Sequence, residues 1–145
     1  MPTPPLTGGA KSTLNGAVSF GRTDAWAVGK GRNGAALAEH WNGNAWSVVP
    51  VPAPAGSASS QLSGIAALSP SDIWAVGSVA TVAGTTVQGR TLVEHWNGTA
   101  WSIVTSRNAT NSNLLTGVAA VAANDVWAVG SSNVTAHTLA LRETG

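Results

Sequence analysis

The chain has 145 residues, one domain's worth at about 100 to 200 residues per domain. Only 9% of the residues are charged and the net charge is +1, which excludes the strongly basic surface that binds nucleic acid or an anionic membrane. A hydrophobic fraction of 43% excludes a disordered chain, and the lack of cysteine excludes a disulfide scaffold, a cysteine zinc site and a thiol nucleophile.

A unit of about 50 residues repeats along the chain, and two motifs mark it. The first motif, an aspartate followed by a hydrophobic residue and then Trp-Ala-Val-Gly, occurs three times. The second, Glu-His-Trp-Asn-Gly-x-Ala-Trp, occurs twice. The copies of the first motif lie at 24–29, 72–77 and 125–130, and those of the second lie at 39–46 and 94–101.

Each unit is predicted to form four short strands. In the second unit these strands are expected at 64–68, 73–77, 91–96 and 100–104. The Asn-Gly pair between the last two strands favours a two-residue type I′ hairpin, because both positions need a positive φ. In the first unit that hairpin would place Glu39 opposite Trp46. No helical periodicity competes with this prediction.

Four strands in about 50 residues, with small residues on the first strand and tryptophan on the outer ones, indicate a β-propeller blade. We therefore predict an all-β fold, a β-propeller arc of three four-stranded antiparallel blades, the last lacking its outer strand. The predicted parts of this single domain are a linker-like segment at 1–13, a first blade with its linker at 14–61, a second at 62–113 and an incomplete third at 114–145.

The end of the third unit differs from the other two. Its final strand carries Leu141, Arg142 and Glu143 where the earlier units carry Glu-His-Trp. A glutamate in place of the tryptophan is consistent with the absence of a fourth strand to pack against, and charge on an edge strand discourages edge-to-edge pairing. We expect a natural or deliberate end here; an arbitrary cut through a longer array is the alternative.

Three blades are too few to close a ring, because propellers usually have four to eight. An open arc leaves two sheet faces uncovered. Burial of about 500 Å² of apolar area per face would contribute about 12 kcal/mol, against an association cost of roughly 4 to 15 kcal/mol. The expected partner is therefore a second copy, in a homodimer with six blades. A trimer with nine blades is the alternative.

The repeated motifs resemble those of bacterial propellers related to kelch and galactose-oxidase central domains. They are also similar to propellers with Trp-Ala-Val-Gly beside a Gly-Trp hairpin, such as photosystem assembly factors. A weaker likeness links the segment 94–101 to small oligomeric fucose-binding propeller lectins. It departs from them because Glu94 lies two residues before Trp96, not three, and because the second strand lacks their arginine. The resemblance implies a propeller and leaves the activity open.

The Glu-His-Trp hairpins supply the candidate ligand-binding residues. In each copy, side-chain alternation places one carboxylate on the same strand face as two indoles. One interpretation is structural, with the carboxylate accepting a buried indole N–H. The other is a sugar site, with the indole stacked on a pyranose and the carboxylate accepting its hydroxyls. The candidates are Glu39, Trp41, Trp46, Glu94, Trp96 and Trp101.

The remaining polar residues are interpreted as structural. Asp24, Asp72 and Asp125 are predicted to form turns in which the carboxylate accepts backbone N–H groups. His40 and His95 lie on the strand face opposite the glutamates, with no convergent ligands beside them, so we expect no metal and no cofactor. The loop at 29–34 and its longer counterpart at 77–90 differ most between units, which favours them as sites of specificity.

The function predicted from the sequence is a non-enzymatic, homo-oligomeric propeller with lectin-like carbohydrate binding. The alternative is a structural or protein-interaction propeller without a small-molecule ligand. No catalytic residue is expected, because no Gly-x-Ser-x-Gly elbow is present and each histidine recurs or stands alone. The expected partners are a second copy and glycans, with neither nucleic acid nor membrane. The uncharged surface suggests a bacterial extracellular setting.

Overall fold

The computed structural model describes residues 11–108, 112–132 and 137–143, and these residues form eleven antiparallel strands and no helix. The predicted all-β fold is confirmed. The strands are β1 (Thr13–Gly21), β2 (Asp24–Lys30), β3 (Ala36–Trp41), β4 (Trp46–Val49), β5 (Ser57–Ser69), β6 (Asp72–Ala83), β7 (Thr86–Trp96), β8 (Trp101–Ile103), β9 (Asn113–Ala122), β10 (Asp125–Ser132) and β11 (His137–Glu143).

The strands form three sheets that follow one another along the chain. The first blade has the order β1-β2-β3-β4, the second β5-β6-β7-β8, and the third, with three strands, β9-β10-β11. The innermost strand of each blade packs beside that of the next, β1 beside β5 and β5 beside β9. The chain is therefore a propeller arc of three blades, as predicted, and the third has no outer strand within the described residues.

The predicted blade boundaries remain a prediction. The first ten positions of the predicted linker, 1–13, lie outside the described residues, and Thr13 already belongs to β1. β5 begins at Ser57, ahead of the predicted boundary at 62. In β11, Leu141 pairs with Ala128 and Glu143 with Val126. No helix in the described part of the chain is long and apolar enough to span a bilayer.

Each Trp-Ala-Val-Gly motif ends in glycine because the neighbouring inner strand passes very close there. A Cβ added at Gly77 would lie 1.9 Å from the carbonyl oxygen of Gln61. The same 1.9 Å separates a Cβ at Gly29 from the oxygen of Thr13, and one at Gly130 from that of Leu114. The register between the two inner strands shifts beside each of these glycines. The recurring glycine is thus a requirement of backbone packing.

Replacement of Gly77 with alanine is expected to lower the free energy of unfolding by about 2 to 3 kcal/mol, because backbone and not a flexible side chain must move. Gly117→Ala is the matched control, since its added Cβ would meet only a methyl carbon of Val129 at 3.3 Å. Chemical denaturation of the two variants measures the difference. Equal stability of the two would contradict the close approach at Gly77.

The core consists of two layers, each between neighbouring blades. In the first layer Trp26 is 2% exposed and packs against the second blade, with its ring centroid 4.7 Å from that of Trp96 and 5.6 Å from that of Trp101. In the second layer Trp74 packs with Val93 and with Leu115 of the third blade. The tryptophans of the second strands in the first and second blades therefore fill the space toward the following blade.

The hairpins between the third and fourth strands are longer than predicted. Trp41 pairs with Trp46, so a four-residue loop replaces the predicted two-residue turn, and Glu39 lies opposite Val48. The Asn42 side chain explains the difference, because its Oδ1 accepts the backbone N–H groups of residues 44 and 45, both at 2.9 Å. The register shift is two residues, so the glutamate still shares a face with both indoles.

The predicted specificity loop at 77–90 is mostly a strand hairpin. β6 continues to Ala83, β7 starts at Thr86, and the two strands pair along this whole length. The corresponding hairpin of the first blade is shorter, since β2 ends at Lys30 and β3 starts at Ala36. The second blade therefore extends beyond the first at the rim that carries these hairpins.

Candidate functional site

The candidate ligand-binding residues of the second blade lie inside the molecule. Glu94 is 0% exposed and Trp101 is buried, on the sheet face that packs against the first blade. Trp96 is half-buried in the same layer, 4.7 Å from Trp26 between ring centroids. A sugar could reach Glu94 only if the two blades separated, so this copy of the predicted site is closed.

The corresponding residues of the first blade lie on its outer face, the one that points away from the second blade. Glu39 is 1% exposed, Trp41 is buried and Trp46 is half-buried. The Trp41 and Trp46 ring centroids are 5.8 Å apart. The structure thus brings each glutamate onto one face with its two indoles, as predicted, but it leaves the carboxylates without exposed surface.

The predicted hydrogen bond from a buried indole to the glutamate is absent among the described residues. Trp41 Nε1 donates to the carbonyl oxygen of Arg22 at 3.0 Å, and Trp96 Nε1 donates to that of Pro70 at 3.2 Å. Glu39 Oε1, both carboxyl oxygens of Glu94, and Trp101 Nε1 are buried with no hydrogen-bond partner in the described part of the chain. The indoles of Trp41 and Trp96 do not donate to a glutamate because backbone carbonyls at the rim accept their N–H groups.

Burial raises the pKa of both glutamates. It raises the pKa of Glu94 to about 8 and raises the pKa of Glu39 above its ordinary value, because an isolated carboxylate is poorly solvated inside the blade layers. At neutral pH Glu94 is therefore mostly the uncharged acid. A protonated, enclosed carboxyl group is a component of the core and not a charged acceptor for a ligand.

In the second and third blades, the aspartate joins the indole of the second strand to a side chain of the third strand. That these aspartates accept backbone N–H groups in a turn stays a prediction. In the second blade, Asp72 Oδ1 accepts the indole N–H of Trp74 at 3.1 Å and lies 2.8 Å from His95 Nε2. The His95 ring packs over Trp74 with 4.4 Å between centroids. One carboxylate oxygen thus ties two stacked rings together.

The other two blades contain versions of the same arrangement. Asp24 Oδ1 lies 2.9 Å from His40 Nε2, and the His40 ring stacks on Trp26 at 4.6 Å. In the third blade Arg142 Nε donates to Asp125 Oδ1 at 2.8 Å, and its guanidinium carbon lies 6.0 Å from the centroid of the Trp127 ring. Sequence reasoning missed this role, although the strand register, which pairs Trp26 with His40, contains the signal.

The histidines therefore hold tryptophans in place, and the structure puts them on the face opposite the glutamates, as predicted. In the ranges 11–108, 112–132 and 137–143, no group of three or more histidine, cysteine, aspartate or glutamate side chains lies together in a way that could hold a metal ion.

The free face of the third blade carries exposed apolar side chains. Trp127 is 45% exposed and Val129 is 51% exposed, whereas their counterparts Trp26 and Val28 in the first blade are buried. Val121 lies on the same face and is also exposed. We call these three residues the end face.

A groove of about 600 Å³ lies beside the long hairpin of the second blade. Its floor includes Val79 and Leu92, and Arg90 lies at its side. One wall is the linker at 54–56 and the other is the segment at 103–108. Sequence reasoning identified the hairpin as variable but not the groove, which arises only because the first blade is too short to cover the extended strands.

The chain matches no protein-family model and no curated protein. Among solved structures it is similar to one described as YCF48 bound to D1 peptide, with a TM-score of 0.59 and 14% sequence identity. The match covers 94% of this chain but only 39% of that one, so the chain spans about two-fifths of its length. Similarity at this identity is a similarity of fold, and it agrees with the propeller architecture.

Proposed function

We propose that this chain is a non-catalytic propeller module that binds proteins, and that its first partner is a second copy of itself. The observation that carries the proposal is the end face, where Trp127 and Val129 are about half exposed. Apolar sheet faces of this kind are seldom left in water unless they bind something.

The two interfaces between blades provide the template for this association. Trp26 and Trp74, the counterparts of Trp127, each pack against the face of the following blade. The face that such a contact would use in a second copy is the outer face of the first blade. It presents Val48, 56% exposed, and the half-buried Trp46, beside the already buried Glu39. Head-to-tail contacts of this type close a ring when the rotation permits.

Protein partners are favoured over carbohydrate for two reasons. The similar structure, YCF48, is a propeller with a bound peptide, which supports protein ligands for an arc of the same fold. A lectin-like site would have to use the hairpin glutamates and indoles, and Glu39, Glu94, Trp41 and Trp101 are buried. Carbohydrate binding is therefore not the function that the geometry favours.

Self-association is tested by native mass spectrometry and light scattering of the whole chain. We expect a dimer, and we expect Trp127→Glu to yield a folded monomer, because a charge on the end face must be desolvated in the contact. Val87→Glu, at an exposed position of the long hairpin, is the control and should remain dimeric. A monomeric wild type, or a dimer that survives Trp127→Glu, would contradict the proposal.

A further inference from the structure

We propose that the groove beside the long hairpin binds an extended peptide carrying an aliphatic side chain and, four residues away, a carboxylate. The groove and the end face lie on different surfaces. This inference therefore rests on the proposed function in one respect, that both sites bind proteins. The groove lies on the second blade at the side facing the first, and the end face lies on the third.

The floor of the groove is apolar and fixed by the sheet. Val79 and Leu92 are both buried at its base, on paired strands β6 and β7. Ile103 of β8 lines the same groove and is 42% exposed, so apolar surface remains open above the base. An aliphatic side chain placed there would remove that surface from water.

The wall formed by residues 103–108 is held against β7 by several hydrogen bonds. The Thr91 backbone N–H donates to Asn108 Oδ1 at 2.8 Å, and the Thr91 hydroxyl lies 2.6 Å from Ser106 Oγ. The backbone N–H of Val104 donates to the Val93 carbonyl at 2.9 Å. The wall is therefore formed before a ligand arrives, which lowers the ordering cost of binding.

One positive charge stands beside this apolar floor. Arg90 pairs across the sheet with Val79, so its side chain leaves the strand on the groove face. No carboxylate of the described residues lies within salt-bridge distance of Arg90, and no acidic residue lines the groove. Three of the acidic residues are engaged elsewhere, Asp24, Asp72 and Asp125, each with a histidine or an arginine. The Arg90 guanidinium can therefore pair with a carboxylate of a bound ligand.

These features define the ligand. Ile103 pairs with Glu94, which lies four residues along β7 from Arg90. An extended peptide rises about 3.3 Å per residue, so one that runs along β7 would place an aliphatic group over Ile103 and a carboxylate beside Arg90 when these two groups are four residues apart. The polar rim residues Thr81, Gln88 and Thr105 offer hydroxyl and amide groups to the peptide main chain. A volume of about 600 Å³ accommodates a segment of a few residues.

The probe is the blocked pentapeptide acetyl-Leu-Thr-Thr-Thr-Glu-amide, whose only charge is the glutamate. We expect saturable binding by isothermal titration calorimetry with a dissociation constant below about 1 mM. Exchange of the peptide glutamate for glutamine, or of its leucine for alanine, should each weaken binding roughly tenfold. Arg90→Gln should weaken binding of the glutamate peptide by the same factor and leave the glutamine peptide unaffected.

Arg22→Gln is the matched control, because it removes the same charge from an exposed position on the first blade. It should bind as the wild type does. Absence of saturable binding, or equal weakening by Arg22→Gln and Arg90→Gln, would overturn the proposal. The same titration on the Trp127→Glu variant separates this site from self-association. We expect the monomeric variant to keep its peptide binding, whereas a dimer that survives the substitution, with peptide binding retained, counts against the end face alone.

Discussion

Replacement of Glu94 with leucine is expected to remove about 4 kcal/mol of pH dependence from the free energy of unfolding between pH 4.5 and pH 8. Glu94 is enclosed between the first and second blades with neither carboxyl oxygen hydrogen-bonded to a described residue. Leucine is the natural choice, because it occupies the corresponding position of the third blade as Leu141.

The direction of this effect follows from proton binding. The folded chain keeps Glu94 protonated up to about pH 8, whereas the unfolded chain releases the proton above 4.5. The contribution of the neutral acid is complete below pH 4.5 and is lost as the pH rises toward 8. Wild-type stability therefore falls across that interval by up to about 1.4 kcal/mol per unit, flattening at both ends.

The measurement is urea denaturation of the wild type and of Glu94→Leu at several values between pH 4 and pH 9. All other titrating groups are common to both proteins, so the difference curve isolates Glu94. We expect the variant to be about 3 kcal/mol the more stable at pH 7. Glu94→Gln, which keeps the shape, is the second variant. Parallel curves for wild type and variant would mean that Glu94 ionises normally.

Replacement of Trp26 with alanine is expected to cost about 3 to 5 kcal/mol, and the same change at Trp127 about 1 kcal/mol or less in the isolated chain. Both residues stand at the same place in the repeat. Trp26 is 2% exposed and touches Trp96, Trp101 and the ring of His40, whereas Trp127 is nearly half exposed. Removal of the first opens a cavity between blades, and removal of the second opens none.

Denaturation at several protein concentrations measures both effects. A loss that belongs to the folded chain is independent of concentration, whereas a loss of association grows as the concentration rises. We expect the Trp127→Ala effect to vary with concentration in this way. Equal, concentration-independent losses at the two tryptophans would contradict the different burial of their indoles.

The sequence was sufficient to predict the three blades because the repeat makes each unit a check on the others. Asp24, Asp72 and Asp125 start the second strand of their blades, as the motif spacing predicted. The hairpin geometry was not predictable from Asn-Gly alone, since the Asn42 side chain stabilises a longer loop by accepting two backbone N–H groups. Local pair preferences did not include this side-chain contact.

The candidate site was predicted less well, for a related reason. Strand alternation placed Glu39 and Glu94 correctly on a face with tryptophans, but it cannot tell whether that face meets water or another blade. The answer depends on packing between blades, which buries Glu94. The groove depends on a difference in length between two hairpins, and only the assembled sheets bring Arg90 and Ile103 to the same cleft.

The stacking of blades in chain order has a consequence for cooperativity. Among the described residues, the main contacts between blades join neighbours. The chain therefore resembles a linear array in which the stability of a unit is its own plus that of its interfaces. In a single unassociated copy, the second blade has two interfaces, and the first and third blades have one each. Fluctuations of the folded chain should therefore begin at its two ends, while β6 and the rest of the central sheet keep their backbone amides protected until the array unfolds as a whole.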